Sequence, residues 1–499
     1  MRSLRIALGL LGGLVLAATL AIAVASPVLA PSDPSGLGGR NPSPAPLSGL
    51  PLPTLATATP TTIPPDVDGD RAYAHLAFFA DPARGGRYTA SAGYDAAARY
   101  MADRFAEIGL EPHGDGGTFF QRFTMPIVDL AATPVLVRTS PDARTYRHRV
   151  DFTERVGGTF GSGSAEGELV FVGAGLKSTD LSVVDVKGKI ALVITAGGGD
   201  PARDLVAEGA LGAIYVSDRI IKFSYLPRFE PAAIPALVVS TASANDLLAS
   251  SGRRVADLVA AVEAQRRGGG ASPAFATGTA LRLSVPLTPV REVQASNVVG
   301  LLRGSDPDLS KRAVLVGGHL DGVGTDPDGT IFQAANDNAS GPSVTIEVAR
   351  ALVARRSELP YSVIFVAFAG EEQGLSGSEA FVTQTASIPG RRESLVGHLN
   401  LDVVGCCGTT VSASDESEPM LQRARRAAEQ LGIPFTPGGR ASSDHVSFAR
   451  RGVHATLLNW SDIGPIHTTS DTIAAITPER LRAIGRVAAL MTLEMAAGR

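Results

Sequence analysis

The sequence predicts an α/β protein with a mixed, largely parallel sheet and helices on both faces. Apolar, β-branched runs at 313–318, 362–369, 398–401 and 455–460 alternate with segments of helical spacing. Such runs, separated by helices, are typical of buried parallel strands. The chain has 499 residues, of which 44% are hydrophobic and 19% charged, so it is long enough for two or three domains with a large core.

Charge and cysteine content narrow the class of protein. The net charge of −4 and the lack of a basic block give no reason to expect nucleic-acid binding. Cys406 and Cys407 are neighbours, and adjacent cysteines bridge only through a strained eight-membered ring. The sequence therefore predicts no disulfide framework, and we expect two buried or half-buried thiols.

The first 30 residues (1–30) have the layout of a signal peptide. Arg2 and Arg5 precede an apolar run at 6–25 that ends in a small-residue cleavage site. The run is also close to the length that spans a bilayer, about 20 residues, so a signal anchor in the membrane is the alternative. In both cases we expect the rest of the chain to be secreted or anchored outside the cell. Residues 31–65, rich in Pro, Ser and Thr, predict an extended linker.

Residues 66–150 are predicted to begin the main folded domain. Apolar residues recur at helical spacing over 92–109, and Gly109 stands where a helix stop is expected. The stretch 118–123 alternates enough to predict a strand. Before the helix, Arg84-Gly-Gly-Arg87 is interpreted as a flexible, solvated basic turn.

Residues 151–289 are predicted to form a separate domain. Short apolar strands are expected at 168–173, 188–195, 212–217 and 234–240, with glycine-rich turns between them. No clustered set of histidines, cysteines or carboxylates accompanies these strands. We therefore expect this domain to have its own core and no chemistry of its own.

Residues 290–499 contain the side chains that point to chemistry. His319 and Asp321 follow the first apolar run, Glu371 and Glu372 the second, and Asp402 the third. Ligand sites in open α/β sheets lie off the carboxyl ends of the strands. We therefore expect these side chains to meet at one rim of the sheet.

Each of these residues, taken alone, also has a structural interpretation. A lone His319 is most often structural, but the carboxylate of Asp321 can fix its tautomer and orient its ring for a metal. Asp337 is either a capping or turn residue or a carboxylate that bridges two cations. Ser340 is predicted to cap a helix that Pro342 starts and that runs to about residue 355.

Glu371 and Glu372 are the most informative pair. Two adjacent carboxylates after a strand as apolar as 362–369 repel each other and are costly to desolvate, unless positive charge lies nearby. Adjacent side chains leave a strand end in different directions, so one can bind metal while the other faces water. The alternative is a pair of exposed loop glutamates. His467, after the strand at 455–460, supplies a second imidazole.

Together these residues offer two histidine and three carboxylate ligands, with one glutamate to spare. Zinc accepts nitrogen and oxygen donors, and a catalytic zinc site keeps a position open for water. Paired metal ions that share a carboxylate lower the pKa of bound water and hold both reacting groups. A spare glutamate can then move the proton.

The motifs resemble peptidase family M28, the co-catalytic zinc aminopeptidases, over about 66–136 and 290–499. They are His319-x-Asp321, Asn336-Asp337-Asn338-Ala-Ser-Gly, Ala369-Gly-Glu-Glu-x-Gly-Leu-x-Gly-Ser378, Asn400-Leu-Asp402 and Ile466-His467-Thr-Thr-x-Asp471. Residues 151–289 resemble the protease-associated (PA) domain. The resemblance implies the zinc-exopeptidase fold, with an insert that covers the cleft and does no chemistry itself.

The resemblance also implies a role for each residue. It implies two zinc ions per chain and five ligands: His319 with Asp402, Glu372 with His467, and Asp337 as the bridge, joined to Asn338 by a cis peptide. Glu371 would be the general base and acid, and Asp321 would orient His319. Asp444 and His445 would lie near the substrate pocket.

The implied function is an exported aminopeptidase that acts on peptides or proteins, with Glu371 taking the proton of a metal-activated water. A carboxypeptidase or dipeptidase on the same scaffold is an alternative, and it needs a cation for the substrate carboxylate, for which Arg440 and Arg450 are candidates. The same scaffold also supports single-zinc glutaminyl cyclases, and a non-catalytic ectodomain is a further alternative. The sequence leaves the side-chain preference and oligomeric state open.

Overall fold

The computed structural model describes residues 63–197, 199–268, 270–387 and 394–499. The predicted signal segment 1–30 and nearly all of the linker 31–65 lie outside these residues. Within the described ranges, no helix has both the length and the apolar character needed to cross a membrane.

A nine-stranded sheet, here called the main sheet, positions the candidate site. Its order is β1-β13-β15-β14-β16-β19-β17-β18, and β2 pairs with β13. The strands are β1 Glu111–Pro112, β2 Phe120–Ile127, β13 Arg291–Leu302, β14 Ala313–His319, β15 Ser362–Phe368, β16 Leu395–Leu401, β17 Val411–Ala413, β18 Phe435–Pro437 and β19 Ala455–Trp460. The four central strands β15, β14, β16 and β19 are parallel, and β13 and β17 flank them antiparallel. The predicted mixed sheet is confirmed, and its parallel part is the centre.

Helices cover both faces of the main sheet, as predicted. Alternate residues of β14 face opposite cores: Val314 and Val316 pack in one apolar cluster and Leu315 in the other. The first cluster takes residues from α1 Gly69–Phe79, α2 Ala92–Ile108, α6 Ser340–Val353, α8 Glu418–Gln430 and α10 Pro478–Ala496. The second takes residues from α7 Ser376–Ser387 and α9 His445–Ala449. Burial on both faces explains why these strands are continuously apolar.

Helix α2 agrees with the sequence analysis, whereas the start of α6 corrects it. Ser91 caps α2 by accepting a hydrogen bond from the backbone of Tyr94, and Gly109 ends the helix in the left-handed region with φ +89°. The prediction that Ser340 caps α6 is wrong, because α6 already includes Ser340. Its hydroxyl donates to the carbonyl oxygen of Asn336 at 2.7 Å and accepts from the backbone of Val404 at 3.0 Å.

A second sheet of eight strands lies between β2 and β13 in the sequence. Its order is β4-β3-β12-β7-β8-β9-β11-β5. The strands are β3 Val135–Ser140, β4 Arg144–Thr145, β5 Phe152–Arg155, β7 Gly163–Phe171, β8 Ile190–Val193, β9 Gly212–Val216, β11 Ala236–Val239 and β12 Phe275–Val285. A separate pair joins β6 Gly158–Phe160 to β10 Phe229–Ile234, and the helices are α3 Ala202–Ala207, α4 Thr241–Leu247 and α5 Val255–Arg266. We call residues 135–285 the insert block.

The insert block leaves and rejoins the main sheet at one place. Ile127 at the end of β2 pairs with Arg291 at the start of β13, so the block interrupts a pair of neighbouring strands. Its first strand begins at Val135, ahead of the boundary predicted at residue 151, because β3 pairs along β12 and not with the main sheet. Two apolar clusters of its own lie on the faces of its sheet.

Candidate metal centre

Three neighbouring strands deliver the predicted side chains to one rim. β14 lies between β15 and β16, and His319 at its end is in register with Phe368 at the end of β15. Glu371 and Glu372 follow β15, and Asp402 follows β16 directly. Because these strands are parallel, their carboxyl ends meet on the same edge. The structure thus brings together side chains that are distant in the sequence.

Asp337 reaches the rim from a tight turn ahead of α6. The peptide bond between Asp337 and Asn338 is cis, as the resemblance implied. The carboxylate of Asp471 accepts hydrogen bonds from the backbone of Asn336 at 2.7 Å and of Asp337 at 3.1 Å. The amide of Asn338 donates to the carbonyl oxygen of Leu401, one residue before Asp402. Hydrogen bonds therefore fix the turn to Asp471 on one side and to the end of β16 on the other.

Two histidine nitrogens each face two carboxylates. His319 Nε2 lies 3.3 Å from Asp402 Oδ1 and 3.3 Å from Asp337 Oδ1. His467 Nε2 lies 3.1 Å from Asp337 Oδ2 and 3.1 Å from Glu372 Oε1. Asp337 therefore divides its two oxygens between the two histidines. The arrangement is two nitrogen–oxygen groups that share one carboxylate.

This donor set fits zinc. The edge of a tetrahedral site with zinc–nitrogen and zinc–oxygen distances of about 2.0–2.2 Å is roughly 3.3 Å, which matches the observed spacing between ligand atoms. Ligand atoms of Asp337, Glu372 and His467 all lie within 4.8 Å of one another, and so do those of His319, Glu371 and Asp402. Glu371 thus stands close to the first ligand pair, although the resemblance implies a base there and not a ligand.

The charge of the rim also calls for cations. Buried carboxylates at Asp321, Asp337, Glu372, Asp402, Asp444 and Asp471 surround the site, together with Glu371. Burial raises the pKa of Asp321 and of Asp471 to about 6, and raises that of Glu371 well above its usual range. Burial opposes charge on His319 and His467 as well, but the facing carboxylates outweigh it and raise both pKa values. Carboxylates outnumber the cationic groups, so divalent ions would offset their repulsion.

The carboxylate of Asp321 lies closer to the backbone of Glu371 and Glu372 than to the ring of His319. Its two oxygens accept hydrogen bonds from the backbone N–H groups of Glu371 and Glu372, each at 3.2 Å. His319 Nδ1 lies 3.2 Å from the backbone carbonyl oxygen of Asp321 and 3.7 Å from its carboxylate. The carbonyl therefore orients the imidazole, and the carboxylate shapes the Glu371–Glu372 turn.

Asp444 and His445, predicted near the substrate pocket, are both fully buried. His445 Nε2 lies 3.3 Å from Glu416, and burial raises the pKa of Asp444 to about 7. Neither side chain reaches solvent in this structure, and their place near a substrate pocket stays a prediction. The preceding Ser443 is the one that contacts the site, since its hydroxyl donates to Asp402 Oδ2 at 2.7 Å.

Arg87 corrects the prediction of a solvated basic turn at 84–87. Its side chain is fully buried, and its guanidinium donates at 2.8–2.9 Å to four backbone carbonyls, those of Phe79, Leu320, Gln333 and Ala334. Burial lowers the pKa of Arg87 to about 10. Arg87 therefore joins the segment after His319 to the segment before Asp337, which no local sequence pattern indicates.

The two cysteines form a disulfide, so the expectation of free thiols is wrong. Cys406 and Cys407 are bonded to each other, with Cα atoms 3.7 Å apart. The pair lies against Gly464, where a Cβ atom would clash with the sulfur of Cys407. Gly464 precedes His467 by three residues, so the disulfide packs against the segment that delivers that side chain.

Two non-glycine residues at the rim have strained backbones. Val403, next to Asp402, has φ +58°, and His467 itself has φ +59°. Such values are uncommon for residues with a Cβ atom and persist only where the surroundings fix them. The strain is located beside the side chains that could hold metal.

The insert block also reaches this centre. Ser224 donates a hydrogen bond from its hydroxyl to Glu372 Oε2 at 2.8 Å. The backbone N–H of Lys222 donates to the carbonyl oxygen of His467 at 2.9 Å. Sequence reasoning missed both contacts, because the residues of each pair are far apart in the chain and no motif marks Ser224.

Fold and site together define an α/β protein with a candidate two-metal centre, and comparison with known proteins adds a likeness to one family. Residues 297–492 match the model of Peptidase family M28. This segment carries all five candidate ligands. The segment that forms the site is thus similar to peptidase family M28.

Curated relatives of this chain have the names of peptidases. The chain is 32% identical over 209 residues to "Aminopeptidase YwaD" of Bacillus subtilis, a match that covers 38% of this chain and 42% of that protein. It is 39% identical over 157 residues to a "Probable zinc metalloprotease" of Pyricularia oryzae, covering 30% of this chain and 27% of that one. The chain thus spans less than half the length of these relatives.

Solved structures extend the likeness to nearly the whole described chain. An aminopeptidase from Aneurinibacillus sp. strain AM-1 superposes with a TM-score of 0.64 and 21% identity, over 86% of this chain and 94% of that one. At this identity the likeness shows the fold alone, and it confirms the predicted α/β architecture with helices on both faces of a mixed sheet.

Proposed function

We propose that the chain is a two-zinc aminopeptidase that removes residues from the N-terminus of peptides. The observation that carries the proposal is the placement of Asp337, whose two oxygens face His319 on one side and His467 on the other at 3.1–3.3 Å. One ion would be held by His319 and Asp402, the other by Glu372 and His467, with Asp337 shared. The relatives named as aminopeptidases support this assignment.

Glu371 is the proposed base. Zinc, when bound, supplies a Lewis acid that lowers the pKa of water and polarises a carbonyl. Glu371 accepts the proton of the attacking water and delivers it to the amine that leaves. Asp321 holds the backbone of Glu371 by a hydrogen bond, which fixes the direction of its side chain. Burial raises the pKa of Glu371, which favours proton uptake at neutral pH.

The charge around the rim favours a substrate amine over a substrate carboxylate. Arg87 and Lys222, two cations that contact the segments around the site, are buried against their own partners. Arg440 and Arg450, the candidates for a carboxypeptidase, are exposed. Within the described residues, neither makes a hydrogen bond or ion pair to a candidate ligand. These four residues therefore offer no free cation at the site for a substrate carboxylate, which favours a substrate that presents its amine.

We also propose that the chain is exported. The support is the sequence of residues 1–30, with Arg2 and Arg5 before an apolar run. The protein would then act outside the cell, either secreted or anchored through this segment, and the residues 151–289 would act as a protease-associated insert.

The test is hydrolysis of aminoacyl chromogenic substrates with a free amine, compared with N-blocked dipeptides that have a free carboxylate. We expect cleavage of the free-amine set only, loss of activity with a chelator and recovery with zinc, and a zinc content near two per chain. Cleavage of the blocked set alone would replace the aminopeptidase by a carboxypeptidase. A zinc content near one, with cyclisation of N-terminal glutamine, would overturn the two-metal proposal.

A further inference from the structure

A short segment of the insert block lies against the candidate metal centre. We call residues 220–226, between β9 and β10, the strap. It touches both residues of the second ligand pair: Ser224 through the carboxylate of Glu372 and Lys222 through the backbone of His467. The insert block is therefore part of the site's wall and not a distant cover.

The hydrogen bond from Ser224 orients the carboxylate of Glu372. Ser224 occupies Oε2 at 2.8 Å, while Oε1 lies 3.1 Å from His467 Nε2. Glu372 is 2% exposed, so water does not compete freely for its oxygens. With one oxygen held by a hydroxyl, the other is presented to the space shared with Asp337 and His467. Such outer hydrogen bonds orient metal ligands and tune affinity.

A buried ion cluster fixes the strap to the main domain. Lys222 Nζ lies 3.1 Å from Asp326 Oδ1, and both side chains are 1% exposed. Arg149 contacts the same carboxylate at 2.8 Å and Glu154 at 2.7 Å. Tyr225, the neighbour of Ser224, donates to Glu154. Lifting the strap would leave these charges buried without partners, which is costly.

The strap also supports the backbone of His467. The N–H of Lys222 meets the carbonyl oxygen of the residue whose φ is +59°. A left-handed backbone at a residue with a Cβ atom needs support from its surroundings. The strap therefore acts on both members of one ligand pair, whereas His319 and Asp402 receive no hydrogen bond from it within the described residues.

We propose that Ser224 is a positioning residue for the second metal site. Its hydroxyl holds Glu372 so that the ion bound by Asp337, Glu372 and His467 is retained, and the insert block thereby controls the occupancy of that one site. The inference rests on the proposed function, because it assigns a residue to the same metal centre. It goes further by giving the insert block a part in metal binding.

The experiment measures the affinity of each of the two zinc ions by competition with a chromophoric chelator. Ser224→Ala is compared with the matched pair Ser224→Thr and Ser224→Val, which have the same shape and differ in the hydroxyl. Ser182→Ala is the control, since Ser182 lies in the insert block and, among the residues that the structure describes, its hydroxyl donates only to the local carbonyls of Ser178 and Thr179.

We expect Ser224→Ala and Ser224→Val to weaken one of the two ions by about 10- to 100-fold and leave the other unchanged. Ser224→Thr and Ser182→Ala should keep both affinities, and saturating zinc should restore the turnover of the Ala variant. Unchanged affinity in both Ala and Val variants, or equal weakening of both ions, would overturn the inference.

Failure of the proposed function is distinguishable from failure of the inference. Two bound zinc ions, a Ser224 effect on one of them and no peptide hydrolysis would support the inference and refute the aminopeptidase. A wild-type chain that binds no zinc would refute both.

Discussion

Two of the regions that bury clusters of charge in this protein, the strap cluster and the rim of the main sheet, do so in opposite ways. In the cluster that fixes the strap, Arg149 and Lys222 each meet a carboxylate at 2.7–3.1 Å. At the rim of the main sheet, carboxylates face two histidines and one another with no such balance. Burying unpaired charge is expensive, so a balanced cluster indicates a structural role, whereas a surplus of negative charge indicates a site that can bind cations.

The difference in charge balance indicates that the catalytic and metal-binding residues lie at the rim and not in the strap cluster. The rim has strained backbone, raised carboxyl pKa values and donor spacing that suits zinc. The strap cluster instead holds two parts of the chain together. Substitutions in the two regions should therefore separate activity from stability.

The largest expected effect is the loss of turnover in Glu371→Gln. Amide replaces the proposed base without removing a carboxylate from the ligands, so we expect kcat to fall by about 10²- to 10⁴-fold while zinc content and unfolding stability stay near wild type. Steady-state kinetics with metal analysis checks this. Glu372→Gln is the contrast and should lose one zinc. Full activity in Glu371→Gln would show that Glu371 is not the general base.

The next effect is on stability, in Asp326→Asn. This change leaves Arg149 and Lys222 buried without their shared carboxylate, so we expect the free energy of unfolding to fall by about 3–5 kcal/mol. Urea denaturation measures it. Asp308→Asn is the control, because the pair of Asp308 with Lys311 is exposed and should contribute nothing measurable. Equal effects of the two substitutions would mean that the cluster does not hold the strap.

The smallest effect concerns the pH dependence of the same cluster. Burial alone would raise the pKa of Glu154, but Arg149 and His148 outweigh it and lower the pKa from 4.5 to about 2. A carboxyl with a depressed native pKa adds stability above its unfolded pKa, and that stability is lost as pH falls from about 5 towards 2. The shift corresponds to about 3 kcal/mol.

The measurement is the stability difference between wild type and Glu154→Gln at a series of pH values. We expect the difference to be largest near pH 6 and to narrow steadily below pH 5. A difference that stays constant with pH would show that Glu154 is not charged in the native state.

Much of the candidate site could be predicted because the signals are local. An apolar run that ends in His319, or in Glu371 and Glu372, reports a strand and its polar end within a few residues of each other. Parallel strands bring those ends together by a general rule. The helix over 92–109 is equally accessible, since its spacing, its cap at Ser91 and its stop at Gly109 all lie in one stretch.

Other features could not be predicted because they depend on partners far along the chain. The pattern around Arg87 indicates a solvated turn, yet its buried guanidinium meets the carbonyl of Leu320, 233 positions away. Ser340 has the sequence of a cap, but the turn before it continues into the helix and turns its hydroxyl towards Asn336. Nothing in the local pattern distinguishes these cases from the simpler ones.

The sequence by itself determined which strands end in polar side chains, which donor types suit zinc and which family the motifs resemble, since each is encoded in residue identity and short spacing. Only the tertiary structure decided how Asp337 divides its oxygens, what Asp321 holds and how the insert block meets the site. Ser224 and Glu372 are 148 positions apart, and their contact exists only because the strap of the insert block lies against the rim of the main sheet. Hydrogen bonds and ion pairs act over a few ångströms, so folding selects the partners that sequence separation conceals.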